Sequence, residues 1–102
     1  MDLNNLVEKV EQWSVSHNIH VSKPEKQFLK VSEEFGEIAA ALARGDEEEF
    51  VDAIGDTVVT LVILAQQKGY TLGHCLESAY NVIAEREGET IDGVFVKKED
   101  LK

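Results

Sequence analysis

The sequence is short of several things. It has one cysteine, Cys75, so no internal disulfide can form, which fits a reducing compartment. It has one proline, Pro24, at a place that suits the first turn of a helix. Positive charge is scarce: 10 Lys and Arg against 20 Asp and Glu give a formal net charge of -10 over 102 residues. Such a chain is a poor partner for nucleic acid polymers, whose phosphates need cations, and for an anionic membrane surface. The longest apolar run, around Val58 to Ala65, contains Thr60 and falls far below the roughly 20 residues that cross a bilayer. Met1-Asp2-Leu3-Asn4-Asn5 has neither the basic nor the apolar stretch of a signal peptide. These absences lead to the expectation of a soluble, cytoplasmic protein.

Several motifs are also missing. There is no Gly-x-x-x-x-Gly-Lys loop, no Gly-x-Gly-x-x-Gly, no Ca²⁺ loop and no Glu-x-x-His pair. His17 and His20 fall in a loop, His74 lies far along the chain, and Cys75 has no second cysteine to join it. A zinc site is therefore not expected, and Cys75 reads as a small buried apolar residue.

What is present is an apolar content of 43%, enough for one core in a chain of single-domain length. Helical periodicity dominates. The first helix is expected from Leu3 to Ser16 with Asp2 as its cap. Leu3, Leu6, Val7, Val10 and Trp13 form its apolar stripe, with Trp13 in the core. After a loop from His17 to Lys23, the second helix starts at Pro24 and stops at Gly45, with Arg44 in its last turn. Its buried side is expected from Phe28, Leu29, Phe35, Ile38, Ala39 and Leu42. Asp46 caps a third helix running to about Lys68, whose first turn holds Glu47, Glu48 and Glu49. Between Val58 and Ala65 this helix is apolar nearly all round, which hints at a subunit interface. Thr71 caps a fourth helix running to about Glu87, with Gly88 ending it. In the tail, Ile91, Val94, Phe95 and Val96 surround the turn signal Asp92-Gly93, so a short extended arm or hairpin is expected. The fold class is all-α, a compact four-helix bundle.

The chemistry lies in the acids. Residues three or four apart share a helix face, so Glu34 and Glu37 point the same way, as do Asp52 and Asp56. For either pair alone a solvated surface is the plain reading. Three features point further. Asp56 stands among Ile54, Val58, Val59 and Leu61, a costly place for an unpartnered charge. Gly36 and Gly55 sit inside helices, where each costs about 1 kcal/mol relative to alanine, and a missing side chain there permits close helix approach or leaves room for a substrate. The tight turn at Gly45-Asp46 makes the two helices antiparallel, which brings the pairs to similar height. Clustered carboxylates repel unless a cation sits between them, and hard oxygen ligands suit Mg²⁺ or Mn²⁺. The chemistry suggested is attack of a metal-activated water on a phosphate ester.

Lys30-x-x-Glu33-Glu34-x-Gly-Glu37, followed by a glycine-aspartate step in an apolar helix, resembles the all-α nucleotide pyrophosphohydrolases typified by MazG. That family's pattern is Glu-x-x-Glu, a spacer, then Glu-x-x-Asp. Glu34 and Glu37 match the first pair and Asp56 the closing aspartate. The resemblance extends to Gln12-Trp13 in the first helix, Tyr80-Asn81 in the last, and the tail Gly93-Val94-Phe95-Val96-Lys97 of small, often phage-encoded members. One position departs: the second glutamate falls at Ala53, and Asp52 is carried over as its substitute. Glu49 is the lower-ranked alternative.

The resemblance implies Mg²⁺-dependent hydrolysis of an NTP or dNTP to monophosphate and pyrophosphate, in a homodimer or homotetramer. It implies metal ligation by Glu34, Glu37, Asp52 and Asp56, with Glu33, Glu34 or Glu37 orienting the water. It adds substrate roles for Trp13 against the nucleobase, and for Gln12, Lys30 and Asn81. Lys30 has an ion pair with Glu34 as its plainer reading. Arg86, Lys97 and Lys98 could reach phosphates across a subunit boundary. Two alternatives stand beside this reading: a non-catalytic acidic helical oligomer that binds a protein partner, and an enzyme acting on phosphoribosyl-ATP.

Overall fold

The computed structural model describes residues 1–101. Four helices follow one another: α1 (Leu3–Ser16), α2 (Pro24–Arg44), α3 (Glu47–Gln67) and α4 (Leu72–Ile83). Two short strands, β1 (Gly88–Ile91) and β2 (Val94–Lys97), and a 3₁₀ turn (Lys98–Asp100) complete the chain. Among the described residues no helix is long and apolar enough to cross a membrane.

The helix ends follow local chemistry. The side chains of Asp2, Asp46 and Thr71 accept from the backbone N–H groups of Asn5, Glu49 and His74, satisfying donors a helix start leaves free. Pro24 occupies the first turn of α2, and Gly45 ends that helix in the left-handed region at φ 66°. The fourth helix stops at Ile83, four residues short of the expected Glu87. Glu85 and Glu87 are ill placed at the negative end of a helix, and the Glu87 carbonyl instead accepts from the Lys98 N–H at 2.7 Å. The tail is a hairpin: β1 and β2 pair antiparallel, Glu89 opposite Val96 and Ile91 opposite Val94. Asp92 and Gly93 both have positive φ (51° and 80°), as a two-residue turn matched to strand twist requires.

The core differs from the expected one. The α2–α3 seam is closed by Gln27, Val31 and Ala41 against Ala53, Thr57 and Thr60, all buried. These side chains are small or hydrogen-bonded. Gln27 Nε2 donates to the Thr60 carbonyl at 3.1 Å, and the hydroxyls of Thr57 and Thr60 donate back to the carbonyls of Ala53 and Thr57. Of the expected α2 core only Ile38 is even half-buried; Phe28, Leu29, Phe35, Ala39 and Leu42 are exposed. The helix carries two apolar stripes, and within one chain the smaller-residue stripe makes the seam. On α1, Ser14 is fully buried and Val7 and Val10 half-buried, while Leu3, Leu6 and Trp13 remain exposed. Two further glutamines tie α3 to the first helix and its loop: Gln66 Nε2 donates to the Glu11 carbonyl and Gln67 Nε2 to that of Ile19.

Candidate functional site

Both α1 and α2 pack on α3, and a groove opens between α1 and α3. On α3, Ala53, Thr57 and Thr60 face α2, while Val59 and Val62 face α1. At about 100° per residue, Asp52 and Asp56 fall between those two directions. They line a groove of about 530 Å³ together with Leu6, Val7 and Val10 of α1 and Val59 of α3.

The second pair lies on α2, which does not itself line this groove. Glu34 is half-buried beside the seam, and Glu37 is exposed one turn further on. The Glu34 carboxyl is held above its ordinary value of 4.5, first by burial, then by the negative charge of Asp56 across the seam and of Glu33 and Glu37 on its own helix. Lys30 offsets part of this. Glu34 of α2 is thus close enough to Asp56 of α3 to feel its charge. A cation between them would relieve the repulsion, so the residues present fit a hard divalent ion. Among the described residues, no group of three or more His, Cys, Asp or Glu closes into a ready cage: Asp52 and Asp56 line the groove, and Glu34 and Glu37 stand outside it on α2.

Several expectations change. Asp56 is exposed at the groove and not enclosed by Ile54, Val58, Val59 and Leu61. The costly-burial argument for it therefore gives way to the charge argument at Glu34. A Cβ built on Gly36 or Gly55 meets nothing within 4 Å, so neither glycine serves close helix approach. Ala53, where the motif has a glutamate, is only 4% exposed in the seam, whereas Asp52 is on the groove. Glu49 is occupied elsewhere: it pairs with Arg44 Nη1 at 2.9 Å across the α2–α3 turn. Lys30 pairs with Glu33 at 3.5 Å and not with Glu34.

Trp13 is not a core residue. Its indole is 49% exposed and packs against the His17 ring at a centroid distance of 4.6 Å. It stands two turns beyond the groove residue Leu6 on the same side of α1. The Gln12 side faces away, toward Glu8, Val15 and Gln66. Asn81 is exposed on α4, and Lys97 is half-buried on the hairpin beside Val82 and Arg86; neither lines the groove. Cys75, expected to be buried, is exposed. The apolar α1 wall, Leu6 and Val10, was read only as core. Its double use carries no sequence signal, because a groove wall and a core stripe share one periodicity.

A segment 67 residues long is 43% identical to an uncharacterized 18.2 kDa protein of Haemophilus phage HP1, from its rep-hol intergenic region. That match covers 65% of this chain and 41% of the relative, so the chain spans less than half of that protein. No solved structure matches. Residues 3–86, which take in all four helices and every carboxylate of the groove, match the family described as phosphoribosyl-ATP pyrophosphohydrolase. The chain belongs to that family, within the MazG-like all-α pyrophosphohydrolases.

Proposed function

We propose that this protein hydrolyses nucleoside triphosphates, NTP or dNTP, to the monophosphate and pyrophosphate in a Mg²⁺-dependent reaction, clearing unwanted nucleotides from a cytoplasmic pool. What supports this reading is the carboxylate pair Glu34 on α2 and Asp56 on α3: the charge of Asp56 helps hold the Glu34 carboxyl above its ordinary value, and Asp56 lines an apolar groove. Glu34 and Glu37 from α2, with Asp52 and Asp56 from α3, are the ligands for Mg²⁺ or Mn²⁺. Once bound, the ion supplies charge neutralisation for the phosphates and activation of water at neutral pH.

The chain's own side chains do the rest. One of Glu33, Glu34 and Glu37 accepts the proton of the attacking water. The water oxygen bonds to the α-phosphorus, the bond to the α–β bridging oxygen breaks, and pyrophosphate leaves. Lys30, exposed on α2 with the glutamates, contacts an outer phosphate in this reading. Leu6, Val10 and Trp13 offer an apolar flank for the nucleobase; Gln12 and Asn81 stand away from this groove, so polar contacts from them require another copy. Lys97 lies on the hairpin, so its role toward phosphate requires a groove belonging to another copy.

Self-association as a homodimer or homotetramer is part of the reading. It is supported by the amount of apolar surface the single chain leaves bare, including Phe28, Phe35 and Leu42 of α2. A panel of NTPs and dNTPs, with and without Mg²⁺, tests the reaction. Pyrophosphate release only with Mg²⁺ is expected, and orthophosphate release would overturn the assigned bond. The family description favours a second reading, phosphoribosyl-ATP as substrate, in which the same type of bond is cut. Including phosphoribosyl-ATP in the panel decides between them. The non-catalytic oligomer predicts no turnover on any of these and no effect of Glu37→Ala or Asp56→Ala on cation binding.

A further inference from the structure

We infer that two copies exchange their C-terminal arms, the apolar stripe of α4 in one copy seating on the exposed α2–α3 back face of the other. This specifies the self-association proposed above and rests on it. The first observation is α4 itself. Leu72, Leu76, Ala79 and Ile83 recur at spacings of four, three and four, the stripe a helix turns toward a core. Yet no residue of α4 is buried, and Leu76 and Ile83 are 60% and 54% exposed. The hairpin that follows packs substantially on no helix, and Ile91 and Val94 on one of its faces are also bare. A two-stranded hairpin is marginal alone. The radius of gyration, 16.4 Å, exceeds the roughly 13 Å of a compact domain this size.

The second observation is a surface of matching character. Phe28, Phe35 and Leu42 recur every seven residues on α2, all exposed. On α3, Phe50, Ile54 and Leu61 fall on the same flank of the seam. This flank is opposite the one that carries Glu37 and Asp56, so an arm laid there leaves the carboxylate groove open.

A second copy is the occupant that satisfies both surfaces. Back faces mated to each other would close a dimer but leave the α4 stripe bare in both copies. Reciprocal exchange covers all four surfaces with one twofold axis. The area is adequate. Half-exposed aromatic and aliphatic side chains contribute on the order of 100 Å² each. The large apolar residues of both surfaces, counted over two copies, then reach the roughly 1,200–2,000 Å² of stable interfaces.

The test uses full-length chains. Sedimentation equilibrium first gives the mass. Wild-type chain, whose one thiol is Cys75 at the edge of the α4 stripe, is then mixed with a Cys75→Ser/Ala39→Cys chain, whose one thiol lies on the back face. A short bismaleimide is added and the linked peptides are read by mass spectrometry. The expected result is a covalent dimer joined between positions 75 and 39. Leu76→Asp is expected to halve the mass while helix content by circular dichroism stays. A monomeric wild-type chain overturns self-association and the exchange together. A dimer linked only 39 to 39, or not linked, overturns the exchange and leaves self-association standing.

Discussion

Replacing Glu34 by glutamine should change stability in opposite directions with and without Mg²⁺. In the ion-free protein the Glu34 carboxylate is partly desolvated and faces the negative charges of Asp56, Glu33 and Glu37, only partly offset by Lys30. The amide keeps the shape and removes the charge, so Glu34→Gln should stabilise the ion-free fold. Partial exposure screens the effect, and charge interactions of this kind are worth about 0.2–1 kcal/mol. At about 4–8 °C per kcal/mol for a domain near this size, Tm rises by a few degrees. Added Mg²⁺ reverses the comparison. At a free concentration near 100 times Kd, an ion bound only by the folded state contributes about 2.7 kcal/mol to the wild type. The variant, lacking one ligand, gains much less and ends below the wild type. The pH dependence has a definite sign. Because the folded Glu34 carboxyl titrates above 4.5, protonation stabilises the ion-free wild type. That gain is fully present below about 4.5 and is lost as pH rises through the elevated value. Differential scanning calorimetry of both chains, ion-free and with Mg²⁺, at acidic and neutral pH, reads all of this. Destabilisation by Glu34→Gln in both conditions, or equal Mg²⁺ gains in the two chains, would refute the cation-site argument.

Other outcomes follow from single contacts. Gln27→Ala removes the buried side-chain bond to the Thr60 carbonyl, an oxygen that α3's own backbone bonding also engages, costing about 0.5–1.5 kcal/mol in urea unfolding followed by circular dichroism. Gly88→Ala places a Cβ against the Val96 carbonyl oxygen and 2.6 Å from the Phe95 ring; hairpin amides should lose hydrogen-exchange protection while those of α3 keep theirs. Asp56→Asn should abolish Mg²⁺ binding by calorimetry, and Asp52→Asn should weaken it by a smaller factor. Equal, negligible effects of the two would remove α3 from the site.

Legibility in the sequence followed the range of the interaction. Asp2, Asp46 and Thr71 act on backbone three residues away, and Gly45 and Asp92-Gly93 act on their own φ; such effects are local, and the element ends they imply are nearly all found. Burial is not local. Phe28 and Phe35 carry a periodic apolar signal that says they will be covered, but periodicity holds no information on which chain covers them. The seam instead uses Ala53, Thr57, Thr60 and Gln27, whose composition advertises nothing. The same limit governs the site. Spacing correctly put one carboxylate pair on each of two antiparallel helices, and the charge felt by Glu34 from Asp56 follows from that geometry. Spacing did not say which side of α3 faces the groove. The seam decides it: Ala53 is enclosed against α2, where a glutamate would have to displace the packing of Val31 and Thr57 or reach out past it, while Asp52 already stands on the groove wall. Ala53 is thus one of the small residues that let α2 and α3 close together, and Asp52, one position earlier, is the carboxylate that the α1–α3 groove exposes.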